Sequence, residues 1–388
     1  MIHTTCPNCE GTQTEVFFKI KNAPIFSVVT VKSKDEALRV PRKDIELAFC
    51  NDCGFIYNRL FDTSVDYFTG GYEDQQGFSK TFMDFLNAQC RELIEKYKLK
   101  GKTTLEIGCG KGDFINLLTE LSGGRGIGID PAYEEGRQNN PKLTFYKEFY
   151  SQKHHNIEAA LISCRHTFEH IHSNLDFLRL IRSSLKDDSD TVLFFEVPQI
   201  TRILDIQAFW DIYYEHCSYY SAGSAAIGFR KAGFEVLDLN YVYGDQYLLI
   251  EAKASNTPGK HFDIEEGVGE QKQRVREFKT KVEAQLNDWR QKLTTFKSQG
   301  KKVVVWGGGS KSVGFLTNFA DIDLIEYVID INPNMTGNFI PGIGKQYQAP
   351  SFLKAYKPEV VIIMNGVYTQ EITQSLHEMD VYPEIFAL

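Results

Sequence analysis

Two cysteine pairs, Cys6-x2-Cys9 and Cys50-x2-Cys53, carry the plainest chemistry in this sequence. Each pair can present two thiolates to one ion, and four thiolates close a tetrahedral zinc shell with no open position for catalysis. Neither pair opens a helix in a thioredoxin-like unit, which argues against a redox role. The other four cysteines are scattered singly, a usage that fits a reducing cytosol better than a disulfide scaffold. The expectation is a structural Zn2+ that holds together a segment with little core of its own. The 40 residues between the pairs exceed the usual finger spacing. The β-like runs "FSVVTV" and "ELAFC" therefore have to fold back and bring the knuckles together.

A second constellation is "LEIGCGKGDF", which places Gly108, Gly110 and Gly112 between a strand and a helix, with Cys109 inside the turn. Glycines let a ligand approach the backbone, and the helix N-terminus offers free N–H groups. Dinucleotide enzymes use GxGxxG at this place, but here the spacing is GxGxG and Glu106 stands two residues before it. A carboxylate there suits a cationic sulfonium with a free amino group and would repel a pyrophosphate. Asp130 ends the next strand, "GIGIDP", where it can accept both ribose hydroxyl protons. These residues resemble the cofactor turn of the class I S-adenosylmethionine (SAM)-dependent methyltransferases, which implies SAM as the ligand, with NAD or a plain structural turn as the alternatives.

The third is "WDIYYEHCSYYS", residues 210–221, which follows the strand "FFEVPQ" after a short helical stretch. In open α/β sheets the ligand lies beyond the carboxyl ends of the strands, so this segment should stand over the SAM sulfonium. His216 can then act as a general base, with Glu215 orienting its imidazole or raising its basicity. Tyr219 and Tyr220 suit core filling, and a metal role lacks a second carboxylate or histidine at ligand spacing. "SCRHTFEHIHS" ends another strand, so Cys164 to His170 should line the same site, with Arg165 on the cofactor side. His170 either packs structurally or takes part in catalysis.

Elements in the right order exist to position these residues. A chain of 388 residues, 42% apolar and 24% charged, is ordinary globular composition and too long for one core. We read residues 1–66 as a zinc-binding domain and 67–254 as alternating strands and helices of a parallel α/β sheet, ending in two strands joined by a Gly-Asp turn. Residues 255–388 open with a linker and a helix whose Val275, Phe278, Val282, Leu286, Trp289, Leu293 and Phe296 form one apolar stripe. That stripe is expected to pack on its own chain, with a coiled-coil dimer as the alternative, so a monomer or homodimer is expected. A second α/β unit begins at "KKVVVWGGGSKSVGF". It lacks the P-loop spacing, and Asp330 leaves a nicotinamide-binding role open. The net charge of -8 argues against a nucleic-acid partner. Without an apolar run of about 20 residues or a secretory signal, no membrane contact and a cytoplasmic location are expected.

Taken together, Glu106, the GxGxG turn and Asp130 resemble the class I SAM-dependent methyltransferases over roughly residues 70–254. The whole order, cysteine head, class I core with an Glu-His motif, and trailing Rossmann-like unit, resembles the sugar C-methyltransferase family, which methylates nucleotide-linked keto-deoxysugars. The resemblance implies a zinc-binding head, a class I (Rossmann-like) core and a C-terminal Rossmann-like α/β domain that shapes the acceptor cleft. The family's Glu-His pair falls on Glu215 and His216, with its upstream tyrosine on Tyr213. Its histidine after the strand falls on His170, and a tyrosine entering the core falls on Tyr72. Family members often read His-Glu-His where this chain has Tyr214-Glu215-His216. They also carry a glycine-alanine-lysine-glycine pattern where this chain has "GGGSKS", and "AWNY" where it has "IMNGVY". These departures lie on the side expected to hold the nucleotide sugar.

The expected function is SAM-dependent methylation of a small or nucleotide-linked sugar. Carbon is the expected target: a 4-keto group acidifies the neighbouring carbon, His216 removes its proton, and the enolate takes the methyl group. The alternatives are O- or N-methylation in the same cleft, a SAM-binding scaffold without turnover, and a dehydrogenase using the C-terminal unit.

Overall fold

The computed structural model describes residues 2–65, 71–187 and 189–388. The expected boundary between head and core, at 66/67, lies outside them.

In the head, strands β1 (Thr14–Pro24) and β2 (Arg42–Cys50) form an antiparallel hairpin flanking a short helix, α1 (Lys34–Leu38). Its register pairs Thr14 with Cys50, which carries the first knuckle back to the second across the intervening residues. Strand β3 (Ile56–Asn58) continues the sheet.

The central sheet alternates strand and helix: β4 (Thr103–Ile107), α3 (Asp113–Ser122), β5 (Arg125–Ile129), β6 (Leu143–Tyr146), β7 (Leu161–Arg165), α4 (Asn174–Ser183) and β8 (Val192–Pro198). Helix α2 (Lys80–Lys96) precedes it, its N-terminus capped by Ser79. After β8 come α5 (Ile200–Asp205), the two-residue strand β9 (Ser218–Tyr219) and α6 (Ala222–Lys231). Strands β10 (Phe234–Val242) and β11 (Tyr247–Ala254) then pair antiparallel, as the Gly-Asp turn predicts. The order is β10-β11-β8-β7-β4-β5-β6, with β4 to β8 parallel. Helices cover both faces of such a sheet, which is why "LISCR" is buried at every position. Strand β9 does not join this sheet. It pairs with β3 through Ile56–Tyr219 and Tyr57–Ser218, so the aromatic stretch completes the head's sheet.

The long helix α7 (Val268–Ser298) leads to the C-terminal unit. That unit holds β12 (Val303–Trp306), α8 (Ser310–Thr317), β13 (Tyr327–Ile329), β14 (Gln346–Gln348), α9 (Leu353–Tyr356), β15 (Val360–Ile363), α10 (Thr369–Glu378) and β16 (Glu384–Ala387). Its sheet is parallel, in the order β14-β13-β12-β15-β16. The α7 stripe packs on its own chain: Phe278 lies 5.2 Å from the Phe18 ring and Trp289 5.2 Å from Phe315. Leu286 is the one stripe residue only partly buried.

One apolar cluster joins Phe17 and Phe49 of the head, Phe209, Trp210 and Tyr214 of the aromatic stretch, Phe278 and Trp289 of α7, and Phe315 of α8. Each such side chain contributes roughly 1.5–3 kcal/mol on burial, so the segment carrying Glu215 and His216 is fixed by the head, α7 and the C-terminal unit. Helix α8 touches it directly. A Cβ on Gly314 would fall 2.4 Å from the Trp210 carbonyl oxygen, a distance only glycine allows. No helix among the described residues is long and apolar enough to cross a membrane.

Candidate active site

The carboxyl ends of the core strands open into a cavity of about 760 Å3 that runs on to the C-terminal glycine loop. At the end of β4 the backbone turns left-handed at Gly108 (φ +73°), where a Cβ would sit 2.1 Å from Thr167 Oγ1. Glu106, 3% exposed, accepts the Ile115 N–H at 3.1 Å, and burial pushes its carboxyl up to about 8, against the pull of Arg165. Asp130 accepts the N–H groups of Gly110 (2.8 Å) and Ala132 (2.6 Å), and burial raises it as well. A third acid, Asp74, comes within 3.6 Å of where a Gly110 Cβ would lie. Burial and the neighbouring Asp130 push it up to about 6. Two buried carboxyls, with Asp74 as a third acid on the open side of the same glycine turn, fit a cationic ligand and not a pyrophosphate. SAM meets that requirement. Asp74 carries no spacing signal in the sequence; its place depends on how the segment before α2 folds over the loop.

Two expected cofactor contacts are placed differently. Cys109 and Gly110 line the cavity, but Gly112 does not. It starts α3, and its missing side chain makes room for the Phe145 ring, which a Cβ would meet at 2.7 Å. Arg165 lines the cavity, yet its guanidinium is committed to Glu196 (2.8 Å) and lies over the Phe114 ring at 4.5 Å. Glu196, from "FFEVPQ", also accepts from Gln89 (2.6 Å) and faces His166 Nε2 (2.7 Å). Burial alone would raise Glu196, but Arg165 and His166 together outweigh it and hold the carboxylate at about 2. Cys164 and Phe168 were expected on the wall, but both are buried in the core behind it.

Tyr72, His170, Tyr213 and His216 line the same cavity. The Tyr213 hydroxyl lies 2.9 Å from His216 Nε2, and the His170 ring stands edge-on to His216 with centroids 4.9 Å apart. His170 Nδ1 faces the Glu215 carbonyl oxygen at 3.0 Å. Burial, then the charges of His170, His166 and Lys311, keep His216 well below the usual histidine range, so its imidazole is neutral and able to accept a proton. Glu215 does not orient that ring, contrary to the expectation from sequence. Its carboxylate is turned away, accepting the Ser27 N–H (2.8 Å) and hydroxyl (2.6 Å) together with the Tyr72 hydroxyl. A buried carboxylate needs donors, and the head supplies them where His216 cannot. A second carboxylate and histidine do lie close to His216, again unlike the expectation. Donor atoms of Glu169, His170 and His216 fall within 4.8 Å of one another. Tyr213 and the Glu215 carbonyl each occupy one nitrogen of these two rings. The signal for Glu169 was in the sequence: Glu-His occurs both at 169–170 and at 215–216.

The far wall is the C-terminal loop Gly307–Lys311. Asp330 accepts the Gly308 N–H (2.5 Å) and the Asn332 N–H (2.8 Å), the same arrangement that Asp130 makes with its own loop. Lys311 pairs with Asp211, which also faces Arg202 at 3.7 Å. Gln246 and Asn365 exchange two amide hydrogen bonds (2.7 and 3.0 Å) that fix this unit against the core.

In the head, the sulfur atoms of Cys6, Cys9, Cys50 and Cys53 lie within 4.8 Å of one another, with Cys6–Cys53 at 3.7 Å and Cys9–Cys50 at 3.6 Å. Tetrahedral Zn–S bonds of about 2.3 Å imply S···S separations of about 3.8 Å, so the thiols fit zinc as they stand. None of the four is in a disulfide.

The family model for a methyltransferase domain matches residues 82–239, and the model for a C-methyltransferase C-terminal domain matches residues 253–382. The C-methyltransferase NovU of Streptomyces niveus is 24% identical over 295 residues, 72% of this chain and 70% of that protein. Among solved structures, N,N-8-amino-8-demethyl-D-riboflavin dimethyltransferase of Streptomyces davawensis is similar over 45% of this chain (14% identity, TM-score 0.35), which spans only 56% of that enzyme's chain. Magnesium protoporphyrin IX methyltransferase of Synechocystis PCC 6803, with bound SAH, is similar over 47% of this chain and 91% of its own (13% identity, TM-score 0.36). The chain is thus a SAM-dependent methyltransferase, of the kind in which the methyltransferase domain is followed by a C-methyltransferase C-terminal domain.

Proposed function

We propose that this enzyme methylates a carbon atom of a nucleotide-linked keto-sugar. The head (1–66) is the zinc-binding unit, residues 67–254 bind SAM, and residues 255–388 hold the nucleotide end of the acceptor. The observation that carries the reading is the continuous cavity that joins the Glu106–Asp130 loop, His216 and the Gly307–Lys311 loop. An acceptor lying between the two loops presents its reacting carbon to His216 and its phosphates to Lys311 and Arg202, the cations that line that part of the cavity. The similarity to NovU, a C-methyltransferase, supports carbon as the target.

Glu106, Asp74, Gly108, Gly110 and Asp130 would hold SAM, which when bound supplies an electrophilic methyl on a sulfonium. His216 takes the proton from the carbon next to the keto group, and the electron pair left behind is shared with the carbonyl oxygen. Tyr213 holds the imidazole in place through its hydroxyl. Tyr72, hydrogen-bonded to Glu215, closes the wall beside it. In-line positioning of the acceptor carbon does most of the remaining work. Cys6, Cys9, Cys50 and Cys53 would bind Zn2+ and hold the head sheet, which supplies Ser27.

The test is mass spectrometry of the purified chain with SAM and a panel of nucleoside-diphosphate 4-keto-6-deoxyhexoses, with the product's new methyl located by NMR. A C–CH3 signal on the ring supports the reading. An O- or N-methyl product, or methylation of none of the panel, overturns it.

A further inference from the structure

Glu169 lies in the single turn Phe168–His170 after β7 and is 2% exposed. One of its oxygens sits 3.8 Å from His166 Nδ1 and 3.9 Å from His216 Nε2. The other has no hydrogen-bond partner among the described residues. Stripping water from a carboxylate oxygen and leaving it unpaired is costly, so its charge calls for a use. The use is visible in what surrounds His216. The ring faces Tyr213 and Tyr219 from its own segment, His166 and His170 from the turn after β7, and Lys311 from α8. The basic groups among these, like burial itself, oppose a positive charge on the ring. Glu215 is spent on Ser27. Among the described residues, Glu169 is the carboxylate that comes within 4 Å of a His216 nitrogen.

We propose that Glu169 is a positioning residue for methyl transfer: it is the counter-ion that allows buried His216 to hold the acceptor's proton. This rests on the reading of His216 as the base. In the step concerned, the acceptor C–H bond breaks and its electron pair stays with the carbon. An N–H bond forms on His216, and the new imidazolium pairs with the Glu169 carboxylate. Once the methyl group has moved, the proton goes to solvent and carries away the positive charge that the sulfonium lost. His166, itself drawn up to about 9 by Glu169 and Glu196 against the effect of burial, keeps the carboxylate in place between the two rings.

The experiment uses the full chain in three forms: wild type, Glu169→Gln and Glu169→Asp. The first readout needs no acceptor. The histidine ring resonances are followed against pH by NMR, with His216 assigned through the signal missing from His216→Ala. Glu169→Gln should lower the His216 midpoint by about one pH unit, the scale of an opposite charge at this distance; Glu169→Asp should fall between. An unchanged midpoint, or a ring that stays neutral to pH 4 in wild type and variant alike, overturns the proposal. The second readout is deuterium exchange at the α-carbon of a nucleoside-diphosphate 4-keto-6-deoxyhexose. Glu169→Gln should slow exchange about 10²-fold and shift its acidic limb to lower pH, while SAM affinity stays within twofold. Should His216→Ala exchange at the wild-type rate, the base assignment has failed. Should His216→Ala be inert and Glu169→Gln match wild type, it is the counter-ion that has failed.

Discussion

The Glu215 carboxylate is bound by Ser27, through the backbone N–H at 2.8 Å and the hydroxyl at 2.6 Å, although 188 residues separate the two in sequence. The same hydroxyl lies 2.8 Å from Ser310 Oγ, at the first turn of α8. Head, core and C-terminal unit therefore meet at one buried carboxylate beside His216. Ser27→Ala removes a hydrogen bond to a charged group, a loss of about 1.5–3 kcal/mol. We expect a lower melting temperature and a turnover reduced several-fold, with SAM affinity unchanged by calorimetry. A variant that melts and turns over like wild type would show that the head does not act through Glu215.

Metal should matter for the same reason. Purified without chelator, the protein should contain one zinc per chain by elemental analysis, held by four thiolates. Cys50→Ser should lower that content and destabilise the head, because a site of this kind contributes folding energy directly. SAM affinity should stay within a few-fold of wild type, while turnover falls with the loss of the sheet that carries Ser27. Absence of zinc from the wild-type protein would rule the site out.

The carboxyls at the SAM end give a pH dependence whose sign is fixed. Asp74 is pushed up to about 6 by burial and Asp130, so below that pH it keeps its proton and offers a cation nothing. SAM affinity should rise from about pH 5 and go on rising past pH 8, where Glu106 also loses its proton, and Asp74→Asn should flatten the lower part of that curve. Asp130→Ala should weaken SAM by roughly 1–3 kcal/mol at any pH, the scale of a hydrogen bond to a charged group. Calorimetry across this range checks both, and affinity that falls as pH rises would contradict the assignment.

His216→Ala tests the base itself. A positioned base contributes about 10²–10⁴-fold, so turnover should drop by that factor while SAM binding holds. Glu215→Gln should act in the same direction through a different cause. It disturbs the bonds from Ser27 and Tyr72, and its effect should appear in thermal stability as well as in rate. If His216→Ala keeps full turnover, the proton must go elsewhere, to His170 or Tyr72.

How far the sequence could be read depends on the span of each interaction. The Glu106–Gly108–Gly110 turn and Asp130 lie within 25 residues and follow from strand–turn–helix chemistry, so spacing was enough. The cysteine knuckles were legible because one hairpin, with Thr14 opposite Cys50, closes the gap between them. The α7 stripe needed only helical periodicity. What escaped were contacts set by three-dimensional packing between distant segments. Glu215 turns to Ser27 because the head sheet borrows β9, and no local pattern announces a strand of two residues. Asp74 reaches Gly110 only once the segment before α2 has folded back, and Glu196 becomes a hub for Arg165, His166 and Gln89 through neighbouring elements. Gly112 looked like a ligand contact because the motif places it there, but what its missing side chain serves is the Phe145 ring.

Lys311 is the residue with which to question the acceptor end. It stands on the first turn of α8, lines the cavity, and is balanced by Asp211, which Arg202 also faces. Burial lowers its pKa, against the pull of Asp211. If the acceptor carries phosphates, they should approach this ammonium and Arg202. Lys311→Ala should then raise the acceptor KM at least tenfold, while the KM for SAM changes less than twofold, because SAM is held by Glu106 and Asp130 instead. Since Asp211 loses its partner in that variant, the double variant Lys311→Ala/Asp211→Asn separates the loss of a cation from the exposure of an acid. Steady-state kinetics with a nucleoside-diphosphate keto-sugar and with the same sugar lacking its diphosphate give the decisive contrast. The variant should penalise the first and leave the second alone. Equal penalties on both would mean that Lys311 shapes the wall and does not bind phosphate.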